Sequence, residues 1–284
     1  MKRFAKLLAT LLLCSTTAAV CNYGTAQNPR HQLLPRSAGP TYSYDGQDGP
    51  LVWHSLSAAN SVCATGKHQS PVNIVRGAYS TVDGSSLTFR PGSYPGGAEF
   101  ENLGHTVQVY LDGSVTLNQD VYRIVQFHLH TPSEHHVESE HYSMELHFVA
   151  QSQNQSLAVM AFIVELASDR DKTSDVLAAA LGRVQEIPQA GDRTLTDGLN
   201  FTTLQNHLSG SKVFQYSGSL TTPPCSEDVA FNVVSTPLYI GVDLYRALKS
   251  VVKFNARFTQ AAPGQLNVLQ CAHDSFVRDD GPDS

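Results

Sequence analysis

The sequence predicts a mixed α/β, mainly β, single-domain fold, and three observations carry this. Short runs rich in Val, Ile, Thr, Tyr and Phe recur between turn signals such as Pro91-Gly92, Pro95-Gly96-Gly97 and Asp112-Gly113. Residues 157–166, LAVMAFIVEL, form a continuous apolar run of the kind a central strand needs. Helical spacing is clear only in 171–186, with Ser168 and Asp169 ahead of it as capping residues. The 284 residues, 41% hydrophobic and 15% charged, suit one large domain with ample core.

In chain order, residues 1–26 read as a secretory signal peptide. Lys2, Arg3 and Lys6 form the basic start, 7–14 the apolar core, and small residues follow, with cleavage after Ala19 or Ala26. The alternatives are an ordinary amino-terminal helix, or lipidation at Cys21, which Val20 disfavours. Losing this segment removes three positive charges and no negative ones, taking the net charge from −6 to −9. So acidic a chain argues against a nucleic-acid partner. No later stretch is long and apolar enough to span a membrane. A secreted protein, extracellular or periplasmic, is expected. Cys14 and Cys21 leave with the signal, so Cys63, Cys225 and Cys271 remain and at most one bridge forms.

Residues 27–40 lack periodicity and read as a lead-in, and 276–284 as a polar, acidic tail. Strands are expected at 86–90, 106–111 and 121–131, and an extended edge at 69–74, where Pro71 has no donor for a ladder. Asn154 and Asn200 head glycosylation sequons.

Six of the 12 histidines fall in 126–149, QFHLHTPSEHHVESEHYSMELHFV. In a strand, side chains two apart share a face. Gln126, His128 and His130 therefore point one way, and Phe127 and Leu129 the other. The run from Met144 places Glu145, His147 and Val149 together in the same manner. If the two runs pair, three imidazoles converge, a donor set that suits Zn²⁺ with an open fourth position. Gln126 and Glu145 lie on the same face, placed to hold the outer ring nitrogens.

The pattern Q-F-H-x-H, then S-E-H, then E-L-H resembles the alpha-class carbonic anhydrases. Four distant segments carry the same resemblance: YDGQDGPLVW from Tyr44, QSPVNI from Gln69, YSGSLTTPPCSEDVAF from Tyr216, and FNARFTQ from Phe254. It spans roughly 41–275, the expected extent of the catalytic domain. It implies a large, mostly antiparallel, twisted central sheet with a few surface helices, and a zinc in a cone opening from the sheet. It implies a carbonate dehydratase, a lyase, in which zinc-bound hydroxide converts carbon dioxide reversibly to bicarbonate and a proton. Sulfonamides and small anions would inhibit it, and a monomer or small homo-oligomer is expected.

By the same resemblance, His128, His130 and His147 would be the zinc ligands, with Gln126, Glu145 and Asn255 supporting them. Thr221, hydrogen-bonded to Glu134, would orient the hydroxide, and His135 completes a buried polar pair with Glu134. Val149, Val159, Leu220, Val229 and Phe231 would form the apolar wall, with Thr222 at the pocket floor. Tyr44 would be the active-site tyrosine. His105, after Asn102-Leu103-Gly104, would be the proton shuttle, with a pKa near the unperturbed value of about 6.5. Cys63 and Cys225 match the positions bridged in secreted members, leaving Cys271 as a buried free thiol. Two departures stand out: Leu103 replaces a residue that is often polar, and Phe231 a tryptophan. Two other readings remain. His128, His130 and Glu134 also fit a cupin iron or manganese dioxygenase, though its flanking glycines and second half are missing. A non-enzymatic relative that binds or stores would usually have lost ligands, and all three histidines are present.

Overall fold

The computed structural model describes residues 42–169 and 172–279. The expected signal peptide and the lead-in 27–40 lie outside the described residues. Fourteen strands are found among the described residues. They are β1 (Asn73–Ile74), β2 (Ser80–Asp83), β3 (Thr88–Pro91), β4 (Glu99–Asn102), β5 (Val107–Tyr110), β6 (Gly113–Leu117) and β7 (Asp120–His130). Then follow β8 (His136–Val137), β9 (Glu140–His141), β10 (Met144–Ser152), β11 (Leu157–Leu166), β12 (Arg193–Leu195), β13 (Lys212–Ser219) and β14 (Glu227–Ile240). The helices are short: α1 (Trp53–Leu56), α2 (Val62–Thr65), α3 (Asp175–Leu181), α4 (Thr202–Ser209), α5 (Val242–Val252) and α6 (Val268–Asp279).

Eleven strands form one sheet in the order β12-β4-β5-β7-β10-β11-β14-β13-β2, with β6 added against β7 and β3 against β6. Every pair in it is antiparallel except β11 with β14. The mainly β, mostly antiparallel expectation is met. The apolar run 157–166 is the central strand β11, and it is buried on both faces. Met160, Phe162 and Val164 enter the larger core with Phe127, Leu129, Leu146 and Phe148, beneath α3, α4 and α5. Val159, Ala161 and Ile163 enter a second cluster on the opposite face. The histidine-bearing face of β7 and β10 looks toward that second side.

Four differences have local causes. The helix expected over 171–186 shortens to α3 and a separate turn at Val184–Glu186. Ser174 N–H donates to the Tyr239 carbonyl and Thr173 Oγ1 accepts the Gly241 N–H, so this end is tied to β14. Strand β14 was not legible as a whole, because Pro237 interrupts its pattern and the pairing with β11 shifts register past Val234. The tail expected from 276 begins inside α6, where Phe276 and Val277 are helical and exposed. Cys271 is exposed, which corrects the buried thiol expected from the sequence. It lies on α6, most of whose residues are exposed among the described residues.

Candidate metal centre

The geometry follows from the register of β7 with β10. His147 stands directly opposite His128, and Glu145 opposite His130. The three rings of His128, His130 and His147 lie 4.7–5.4 Å apart between centroids and are buried. One nitrogen from each falls within 4.8 Å of the others. The opposite nitrogens are engaged: His128 Nδ1 meets Gln126 Oε1 at 2.9 Å, His130 Nδ1 the Asn255 carbonyl at 2.8 Å, and His147 Nε2 Glu145 Oε1 at 2.7 Å. His130 Nε2 makes no hydrogen bond, and its nearest charged neighbour is Glu134 Oε2 at 3.3 Å. Burial, reinforced by the neighbouring imidazoles, lowers His128 well below the ordinary histidine range and His130 to about 3. Three convergent imidazoles with fixed outer nitrogens are a donor set that suits zinc. His135, Glu145 and His147 also cluster, but their 2.7 Å nitrogen–oxygen contacts are hydrogen bonds, with no space for an ion between them.

Asn255 acts through its backbone carbonyl. Its side chain accepts the Thr131 N–H at 2.6 Å and donates to the Leu129 carbonyl at 2.8 Å, which holds that carbonyl on His130. Glu145 Oε2 accepts the N–H groups of Glu134 and His135 at 2.9 and 2.8 Å. Desolvation opposes ionisation of Glu145, yet His135 and His147 hold its carboxyl well below the usual range. Desolvation pushes Glu134 well up, against the Arg257 N–H at 2.9 Å and a hydrogen bond from Thr221.

Val149, Val159, Leu220, Val229 and Phe231 gather in the second apolar cluster, Val149 and Val159 as a cross-strand pair. Phe231 lies 5.9 Å from His147 between ring centroids and stacks on Tyr216. Thr222 is buried, and its hydroxyl has no hydrogen-bond partner. Tyr44 packs edge-on against Trp53, where it lines a cavity of about 740 Å³ that none of the three histidines borders.

His105 departs from expectation. It is buried with its ring 4.9 Å from that of Tyr42, and burial lowers its pKa to about 4. The value near 6.5 expected from the sequence does not hold here. Cys63 and Cys225 are bonded, with Cα atoms 5.1 Å apart, which ties α2 to the turn after Thr221 and Thr222. Sequence reasoning passed over Gln108 and Tyr216. Gln108 is fully buried opposite His128, with neither end of its amide hydrogen-bonded. The signal for it was the alternation of Thr106, Gln108 and Tyr110 along β5.

A buried three-histidine cluster beside an apolar wall could hold a metal ion. The family model for eukaryotic-type carbonic anhydrase matches residues 48–267. A fungal alpha carbonic anhydrase from Aspergillus oryzae superposes with a TM-score of 0.79 at 42% identity, over 82% of this chain and 98% of that one. A carbonic anhydrase from Neisseria gonorrhoeae is 34% identical over 92% of this chain and 91% of its own. The alpha-carbonic anhydrase from Thermovibrio ammonificans, in complex with the inhibitor sulfanilamide, superposes at 0.66 with 28% identity, over 81% of this chain and 99% of that one. The chain belongs to the alpha carbonic anhydrase family and is an enzyme of that kind.

Proposed function

We propose that the protein hydrates carbon dioxide reversibly to bicarbonate and a proton, with Zn²⁺ held by His128, His130 and His147. The observation that carries this is the trio itself: three convergent imidazoles, each with its outer nitrogen engaged. When bound there, Zn²⁺ supplies positive charge that acidifies a coordinated water and favours the ionised form of nearby carboxyls. Gln126, Glu145 and the Asn255 carbonyl fix the tautomer and angle of the rings. Thr221 donates its hydroxyl proton to Glu134, so its oxygen accepts from the attacking nucleophile and aims one lone pair. Val149, Val159, Leu220, Val229 and Phe231 offer a dry surface for a small apolar electrophile, and Thr222 a polar floor. Tyr44 stays at the margin, packed on Trp53.

The proton must then reach solvent. His105 is placed to take it by resemblance, but a ring with a pKa of about 4 is a poor acceptor at neutral pH. Buffer therefore carries most of the flux, with His105 a minor route. Sulfonamides and small anions are the expected inhibitors, by analogy with the relative in complex with sulfanilamide. The signal-like start and the disulfide support secretion. The cupin reading draws no support from the family match. A protein named dioscorin superposes at 24% identity, a likeness of fold alone.

The test is zinc content measured together with carbon dioxide hydration, with and without a sulfonamide. Zinc near one per chain and sulfonamide-sensitive hydration are expected. Iron or manganese in its place, or a zinc-loaded protein inert toward carbon dioxide, refutes the reading.

A further inference from the structure

The hairpin of β8 and β9 carries two histidines that the proposed reaction does not use. Its turn residues, Glu138 and Ser139, have φ of 54° and 70°. Positive φ at both central positions is what a two-residue type I′ turn requires. In such a hairpin the residues flanking the turn, here Val137 and Glu140, exchange the hydrogen bonds. His136 and His141 come next and stand directly opposite each other. Theirs is a non-hydrogen-bonded pair, the kind whose side chains approach most closely.

The hairpin is held firmly on one side. Val137 is buried, and β8 pairs with β1. The Glu138 N–H donates to the Ile74 carbonyl at 3.0 Å and the Ser139 N–H to Asn73 Oδ1 at 2.8 Å. Glu138 Oε1 accepts the Arg76 N–H at 2.7 Å. The two imidazoles are therefore presented from a fixed backbone.

His136 is half-buried and His141 exposed, with ring centroids 6.0 Å apart. The three rings of the buried trio lie 4.7–5.4 Å apart, and a side-chain rotation of the exposed His141 closes the difference. Thr259 Oγ1 lies 3.3 Å from Nε2 and 3.4 Å from Nδ1 of His136. One hydroxyl engages one ring nitrogen, so the other stays available. Burial, and then the neighbouring His141, lowers His136 below the ordinary histidine range, which favours the neutral form that binds metals. Both histidines line the cavity of about 740 Å³, together with Leu51, Pro132, Phe254 and Phe258.

We propose that His136 and His141 form a second metal site, separate from the buried trio, that takes a divalent late transition metal and Cu²⁺ most tightly. Two imidazole nitrogens with open positions beside them suit the tetragonal nitrogen and oxygen coordination of Cu²⁺. The affinity order of divalent metals places Cu²⁺ above Ni²⁺ and Zn²⁺ for the same ligands. Water fills the remaining positions from the cavity side. Zn²⁺ prefers the trio, which offers one imidazole more.

The experiment titrates zinc-saturated protein with glycine-buffered Cu²⁺, reading nitrogen coordination by electron paramagnetic resonance and retained zinc by elemental analysis. The parent should take up copper on imidazole nitrogen and keep its zinc. His141→Ala changes an exposed side chain and leaves the hairpin intact, and His136→Ala removes the other ligand. Each should weaken copper by more than about 10-fold, since loss of even an outer partner of a metal ligand costs about 10- to 100-fold. His273→Ala is the control, an exposed histidine beside Asp274 on α6. It should bind copper as the parent does. Copper that enters only as zinc leaves, a parent that takes up none, or equal binding by parent, His136→Ala and His141→Ala each overturns the proposal. The difference between parent and His141→Ala reads the pair alone, whatever metal the trio holds.

Discussion

Acid should expose the burial of His105. Its pKa is about 4 in the folded protein, against 6.5 when unperturbed. The folded state therefore binds fewer protons than the unfolded chain between these values, and stability rises with pH there. The contribution is complete above 6.5 and is lost as pH falls toward 4. A gap of 2.5 units corresponds to about 3.4 kcal/mol at its limit, at 1.36 kcal/mol per unit. Between pH 7 and pH 5 the loss is about 2 kcal/mol. His105→Phe keeps an aromatic ring against Tyr42 and cannot titrate. Urea unfolding of parent and variant at pH 7 and pH 5 isolates the effect, because other titrating groups are shared. The variant should lose about 2 kcal/mol less than the parent over that interval. Parallel losses would refute a buried, neutral His105. The same burial predicts kinetics: kcat of the parent should climb steeply with imidazole buffer, and His105→Ala should lower kcat at pH 7 by less than about two-fold. A buffer-insensitive parent whose kcat collapses in the variant would restore His105 as the principal shuttle.

Other outcomes follow from the same contacts. His147→Ala should lose most of its zinc and activity, and full occupancy at low free zinc would contradict the ligand set. Glu145→Ala should weaken zinc about 10- to 100-fold, read by chelator competition, because it frees both His147 and His135. Thr221→Ala should keep zinc but hydrate carbon dioxide more slowly, since the nucleophile loses its orientation; an unchanged rate would remove Thr221 from the mechanism. Replacing Cys63 and Cys225 by serine should cost about 2–5 kcal/mol in denaturant unfolding, because the bond closes a loop with a sequence separation of 162. Cys271 should alkylate in the folded protein, and protection until unfolding would contradict its exposure.

What the sequence determined by itself was whatever a period of two could encode. The alternation in QFHLH put His128 and His130 on one strand face with Gln126, and that in ELHFV put His147 on a face of a second strand with Glu145. The family resemblance added Thr221, Glu134 and the Cys63–Cys225 pair. Tertiary structure decided the rest, because burial and hydrogen-bond partners depend on segments far apart in the chain. The carbonyl that holds His130 comes from Asn255, 125 residues on, and no local pattern marks a backbone group as the partner. The Tyr216 hydroxyl reaches His135 across 81 residues and Ser70 across 146. From the sequence His105 keeps an unperturbed pKa; in the fold Tyr42 packs on it, and desolvation moves its pKa away from neutrality. Cys271 shows the converse: an apolar-looking residue stays in water because no element among the described residues covers that side of α6.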